Sequence, residues 1–171
     1  MTLVILCVLL SQLPPHRATA APGTLNPQMP VTFHGVGPIR VGMRLAALQQ
    51  VAGVPLTVEP EVTKGCTYAY PASGSQSIAF MLSDGFVARA DVEAPGFRTL
   101  SGAQVGDSEE RIKSLYKGRY VVTPHAYSAG HYITVTSRNQ RFALVFETDG
   151  KVVTSFHVGR LPEVLYVEGC S

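Results

Sequence analysis

The sequence predicts an α+β domain in which a short helix followed by an antiparallel meander occurs twice in tandem. Two pairs of landmarks predict it. Val41-Gly42-Met43-Arg44 and Val105-Gly106-Asp107-Ser108 each open a helical pattern, at an offset of 64 residues. Ser83-Asp84-Gly85 and Thr148-Asp149-Gly150 each sit between two alternating apolar runs, at an offset of 65, and Asp-Gly supplies the backbone torsions of a tight hairpin. One such unit of about 60 residues buries a marginal core, whereas two packed together reach a comfortable size. The expected repeats run from about 31 to 96 and from 97 to 171.

The elements follow in order. Thr2 to Leu10 is almost unbroken apolar, Pro14-Pro15 breaks it, and Ala18-Thr19-Ala20 gives the small-x-small pattern of a signal-peptidase site. Residues 1–20 therefore read as a secretory leader cleaved near Ala20, although the usual basic start is missing. The apolar run is about half of the 18 to 20 residues a membrane span needs. Residues 21–30 contain three prolines and read as a flexible lead-in, with the fold starting near Val31.

The first helix places Leu45, Leu48, Val51 and Ala52 on one face and stops at Gly53; the second places Ile112, Leu115 and Tyr116 on one face and stops at Gly118. Asp107 or Ser108 can cap the second helix, and Glu109 and Glu110 suit its positive end, whereas Arg44 cannot cap the first. Alternation marks strands on both sides of each Asp-Gly turn, with Ile78, Phe80 and Leu82 before the first and Phe142, Leu144 and Phe146 before the second. Further strands are expected at Cys66 to Tyr70, Tyr120 to Thr123, Tyr132 to Thr136 and Val164 to Glu168.

Composition narrows the function. Of 171 residues, 46% are hydrophobic and 15% charged, with a net charge of +2 that becomes +1 once Arg17 leaves with the leader. No basic stripe is present to displace counterions from a nucleic acid, and no clustered cationic face suits a membrane surface. Loss of Cys7 leaves Cys66 and Cys170, an even pair in a chain bound for an oxidising compartment, and they are expected to form a disulfide. The mature chain is expected in the periplasm or outside the cell.

No motif for chemistry stands out. Gly35-Val36-Gly37-Pro38 lacks the spacing of a dinucleotide loop, no serine sits in a Gly-x-Ser-x-Gly elbow, and His125 and His131 are the closest histidine pair. No catalytic residue, metal ligand or cofactor is assigned. Asp91 and Glu93 share a strand face beside Arg89, read as an exposed charged face. The candidate binding surface is the stretch holding Tyr120, His125, Tyr127, His131 and Tyr132, because tyrosine offers a large contact area with a hydroxyl at low entropic cost. Some of these rings can equally be core residues with a wet hydroxyl.

The Val-Gly-Met start of a short helix, followed by a sheet and repeated once, resembles two secreted bacterial groups: the SmpA/OmlA-type outer-membrane-assembly lipoproteins and the beta-lactamase inhibitory protein. Gly42-Met43-Arg44 keeps two residues of their Gly-Met-Thr start, and Gly106-Asp107-Ser108 keeps the glycine and a hydroxyl. Gly35-Val36-Gly37-Pro38 with a closing Glu168-Gly169-Cys170 also resembles a set of small secreted bacterial proteins. The resemblance implies a non-enzymatic protein-binding role, an inhibitor or envelope factor among the options. A small-molecule or glycan binder is the alternative, and an enzyme with an unrecognised site comes third.

Overall fold

The computed structural model describes residues 23–61, 63–72 and 77–170. The expected leader, residues 1–20, lies outside them. The chain is a mixed α+β domain with two sheets, one face of the larger carrying the core.

In the first half, α1 (Leu45–Ala52) is followed by β4 (Leu56–Val58), β5 (Cys66–Pro71), β6 (Ile78–Ser83) and β7 (Phe86–Val92). In the second, α2 (Glu109–Leu115) is followed by β9 (Tyr120–Pro124), β10 (His131–Thr136), β11 (Phe142–Thr148) and β12 (Val153–Arg160). All pairings in this large sheet are antiparallel, in the order β4-β5-β6-β7-β12-β11-β10-β9, so the last strands of the two halves meet at its centre. A small sheet, β3-β2-β1-β8, is built from β1 (Pro30–Thr32), β2 (Gly35–Val36), β3 (Ile39–Arg40) and β8 (Arg98–Thr99).

The start of each helix docks on its own hairpin by the same three main-chain bonds. Gly42 N–H donates to Val87 O (2.7 Å), Val87 N–H to Met43 O (2.8 Å) and Leu45 N–H to Gly85 O (3.1 Å). In the second half Gly106 N–H donates to Val153 O (2.9 Å), Val153 N–H to Asp107 O (2.9 Å) and Glu109 N–H to Lys151 O (3.0 Å). Gly42 and Gly106 hold φ of 88° and 91°, the left-handed region that glycine enters without a Cβ penalty. The helix ends differ from each other. Gly53 closes α1 at φ 65°, as its sequence suggests, but α2 ends at Tyr116 rather than at Gly118. Tyr116 is buried, with its ring 5.6 Å from that of Phe146 and its hydroxyl donating to Thr99 Oγ1 (2.8 Å).

Leu48, Ala52, Ile112 and Tyr116 pack on Phe80, Val92, Phe146 and Phe156. Packing begins ahead of Val31. Within the stretch expected as a flexible lead-in, Leu25 N–H donates to Ala52 O (2.8 Å), and Leu25 and Met29 pack against the core. These two apolar side chains anchor a segment whose prolines had suggested freedom.

The strand expected at Val164 to Glu168 does not form. A 3-10 turn (Glu163–Leu165) stands there, and residues 161–170 cross the outer face of the large sheet as a strap. The carbonyls of Glu163 and Tyr166 accept from the Arg89 guanidinium beneath instead of from a neighbouring strand. Cys170 closes the strap with a disulfide to Cys66 on β5, across 104 residues. Thr63 Oγ1 donates to Cys170 O (2.9 Å) beside it.

Closing a loop of that length removes unfolded-state entropy worth on the order of 4 kcal/mol. Reduction is expected to add about 2 Da to the intact mass and to lower the unfolding free energy in urea by roughly that 4 kcal/mol. Free thiols in the unreduced mature protein would contradict the pairing.

Candidate functional site

Alternation along the central strands sorts their side chains. Ala90, Val92, Phe156 and Val158 enter the core, while Arg89, Asp91 and His157 face the strap. Arg89 and Asp91 are not the exposed charged face that their spacing suggests: both are buried, as is His157, and only Glu93 at the end of the row is exposed. The reason is the strap, which the disulfide draws over them.

Arg89 is the centre of the cluster. Its Nε pairs with Asp91 Oδ1 (2.7 Å), Nη2 donates to the Tyr68 hydroxyl (2.9 Å), and Nη1 donates to Tyr166 O (2.7 Å) and Glu163 O (3.4 Å) on the strap. A guanidinium carries several donors in a fixed fork, so one side chain can hold two strands and the strap together. Burial pushes the Asp91 carboxyl up to about 6, against the charge and hydrogen bond of Arg89, which favour the anion. Burial, reinforced by the Asp91 charge, also raises the Tyr68 phenol. His157 Nδ1 lies 3.7 Å from Asp91 Oδ1 and 3.6 Å from Glu147 Oε1. Burial and then the Arg89 charge push the imidazole well below its usual value, so it is neutral.

Three clefts among the described residues border the strap, and two of them adjoin the central strands. A polar one of about 570 Å³ is lined by Tyr68, Tyr70, Glu93, Glu147, His157 and Glu168 among others. An apolar one of about 370 Å³ is lined by Val121, Thr123, Tyr132, Val145, Leu165 and Val167 among others. His157 borders both.

The residues expected to form a binding surface divide between the two faces of the sheet. His125, Tyr127 and Tyr132 come together on the outer face. The His125 ring stacks on Tyr132 at 4.6 Å, its Nδ1 accepts from Tyr127 N–H (3.1 Å), and its Nε2 therefore carries the proton toward Glu147 Oε2 (3.3 Å). The Tyr127 hydroxyl donates to Glu168 on the strap. Tyr120 and His131 lie on the other side. Tyr120 packs against the core, and His131 Nδ1 lies 2.7 Å from Glu109 Oε1 at the start of α2.

Glu109 is buried and also accepts from Thr148 Oγ1 (2.6 Å) and Lys113 Nζ (2.8 Å). Burial by itself would raise its carboxyl, but the bonds from Lys113, Thr148 and His131 outweigh it and hold the group at about 2. This network braces α2 rather than a cleft. Among the described residues, no group of three or more His, Cys, Asp or Glu is placed to hold a metal ion.

Arg89, Tyr68, Glu147, Leu165 and Val167 were not singled out by the sequence as site residues. One signal could have found Arg89: its period-2 register with Asp91, on a strand close to a cysteine that pairs with the chain's end.

No family model matches the chain, and no curated protein does. Among solved structures, the uncharacterized protein YfeY from Escherichia coli is similar in fold. The match has a TM-score of 0.54 at 15% identity and covers 77% of this chain and 99% of that one. The shared property is the fold.

Two substitutions separate the roles of the two networks. Arg89→Met leaves Asp91 buried without its cation and is expected to cost about 3 kcal/mol, with faster amide exchange across residues 163–170. Slow exchange in that variant would show that the strap does not depend on Arg89. Glu109→Gln tests the second network. Its folded-state carboxyl lies below the unfolded value of 4.5, so its contribution is present above pH 4.5 and is lost as pH falls toward about 2. The variant is expected to lose on the order of 2 kcal/mol at pH 7 and to show a shallower loss of stability between pH 4.5 and pH 2 than the parent.

Proposed function

We propose that the chain is an exported, non-enzymatic protein-binding module of the periplasm or extracellular space, with its partner seated on the outer face of the large sheet across the strap. The observation that carries this reading is a group of exposed apolar residues beside the apolar cleft. Val121 is 64% exposed, Leu165 48%, Val167 44% and Tyr127 69%. Contiguous exposed apolar surface of this kind marks an interaction site more often than an idle surface, and a tyrosine at its edge adds contact area with a polar tip.

The polar cluster supports the non-enzymatic reading by how it is engaged. Arg89 is ion-paired with Asp91 and donates from Nη1 and Nη2 to Tyr68 and two strap carbonyls, which makes the cluster a clamp. The Cys66–Cys170 disulfide suits an oxidising compartment and the leader read at residues 1–20. In this reading the two helix-plus-meander halves are divergent copies of one unit, as in the beta-lactamase inhibitory protein that the sequence resembles.

A second reading rests on the polar cleft. Tyr70, Glu93, Glu147 and Glu168 line about 570 Å³ with rings and acceptors suited to a glycan or a small hydroxylated or cationic molecule.

The test is affinity capture with the mature protein from envelope and culture-fluid proteins. A stoichiometric partner is expected to be lost with Val121→Asp, with Val167→Asp and with Tyr127→Ala, and kept with Leu100→Asp, whose side chain is exposed beside the small sheet. Equal retention by all four variants would overturn the placement. A thermal shift with glycans and none with any protein would favour the second reading.

A further inference from the structure

Among the described residues, the large sheet has two edges that pair with no further strand, and they differ. β4 is three residues long, with Glu59 and Glu61 just beyond it. β9 is five residues long, Tyr120-Val121-Val122-Thr123-Pro124, carries no charge, and pairs with β10 in an unbroken register. Edge strands are commonly protected by charge, brevity, proline or a bulge; of these β9 has only Pro124 at its end, which leaves the Val122 N–H in place.

Its unused main-chain groups can be located. His125 N–H donates to Gly130 O (3.0 Å), and the antiparallel alternation counted back from that pair turns Thr123 and Val121 toward β10. The N–H and C=O of Val122 and the C=O of Pro124 then point away from the sheet. A row of donors and acceptors with a strand's spacing is met by another extended polypeptide.

The side chains beside the edge narrow its chemistry. On the outer face next to β9 lie two neighbouring hollows that share Val121 and Thr134. One is the apolar cleft already described. The other, of about 610 Å³, is lined by Arg119 and Arg138 with Thr136, Ser137 and Gln140, and no carboxylate lines it. Both arginines are exposed, Lys117 and Arg141 are exposed nearby in sequence, and no ion pair of this chain holds either arginine among the described residues. A strand presents residues two apart on one face, about 7 Å from one another. An added strand would therefore bring one side chain over the apolar cleft and the next on the same face over the arginines.

We infer that β9 is a strand-addition site for an extended segment of another protein that carries an apolar residue and, two positions away on the same face, an aspartate or glutamate. This deepens the protein-binding reading and rests on it: the partner would be held by the edge as well as by the exposed apolar group.

The test uses the mature protein and capped, fluorescein-labelled peptides of alternating threonine and valine, with one central leucine and one glutamate two positions from it. Saturable binding is expected in polarisation, weakening as salt rises, and about tenfold or more weaker for the lysine peptide. N-methylation at alternate residues is expected to abolish binding in one register and spare it in the other, which requires no change in the protein. Val122→Pro removes the outward donor without touching the bonds to β10 and is expected to abolish binding. Arg119→Glu with Arg138→Glu is expected to reverse the preference between glutamate and lysine peptides.

Binding that ignores N-methylation in both registers, or no saturation up to about 1 mM, overturns the proposal. Dimerisation of the protein that Val122→Pro abolishes would overturn it in favour of a second copy at the edge. If a native partner is lost with Val167→Asp but kept with Val122→Pro and the arginine variants, the edge proposal fails while the protein-binding reading stands.

Discussion

The guanidinium of Arg89 is the interaction on which the outer half of this molecule depends. It is buried between two layers of different origin, the central strands below and the strap of residues 161–170 above, and it bonds to both. A buried cation is tolerable only when its charge and its donors are answered. Asp91 answers the charge, and Tyr68 and two strap carbonyls accept from Nη2 and Nη1, while Nε and the Asp91 oxygens meet as an ion pair without hydrogen-bond geometry. The disulfide holds the strap's end within reach, and Arg89 sets its course. Without that course the outer face would be an open sheet surface rather than clefts on either side of a bridge.

The two halves share a frame and differ in chemistry where the frame matches. Leu45 and Glu109 occupy the same place at the start of their helices, each donating its N–H to the hairpin. Leu45 packs against the core, whereas Glu109 gathers Lys113, Thr148 and His131. The N-caps differ in the same way. Ser108 accepts from Arg111 N–H (3.2 Å), while Arg44 makes no capping bond and lays its guanidinium 4.6 Å from the Phe86 ring centre. The outer face is just as uneven. The first half supplies Arg89, Asp91 and Tyr68 beneath the strap; the second supplies His125, Tyr132, Val121 and the unprotected edge. One sheet thus presents a polar end beneath the strap and an apolar end beside it.

Much of this was legible in the residues because it is local. The Asp-Gly hairpins, the helix starts at Gly42 and Gly106 and the alternation of β6, β7, β11 and β12 depend on torsion preferences and on period-2 burial, which a short window of sequence contains. The Cys66–Cys170 pairing was legible by count alone, once Cys7 was assigned to the leader.

What the sequence determined by itself was the α+β class, most strands of the large sheet, both helix starts and the disulfide, since each follows from near neighbours or from parity. The tertiary structure decided which charges are covered, where Tyr120 and His131 part from Tyr132, and that residues 163–165 turn rather than extend. Those outcomes depend on contacts between residues far apart in the chain. Arg89 reads as a surface residue until Tyr166 is laid over it, 77 positions later, and no local pattern encodes that meeting.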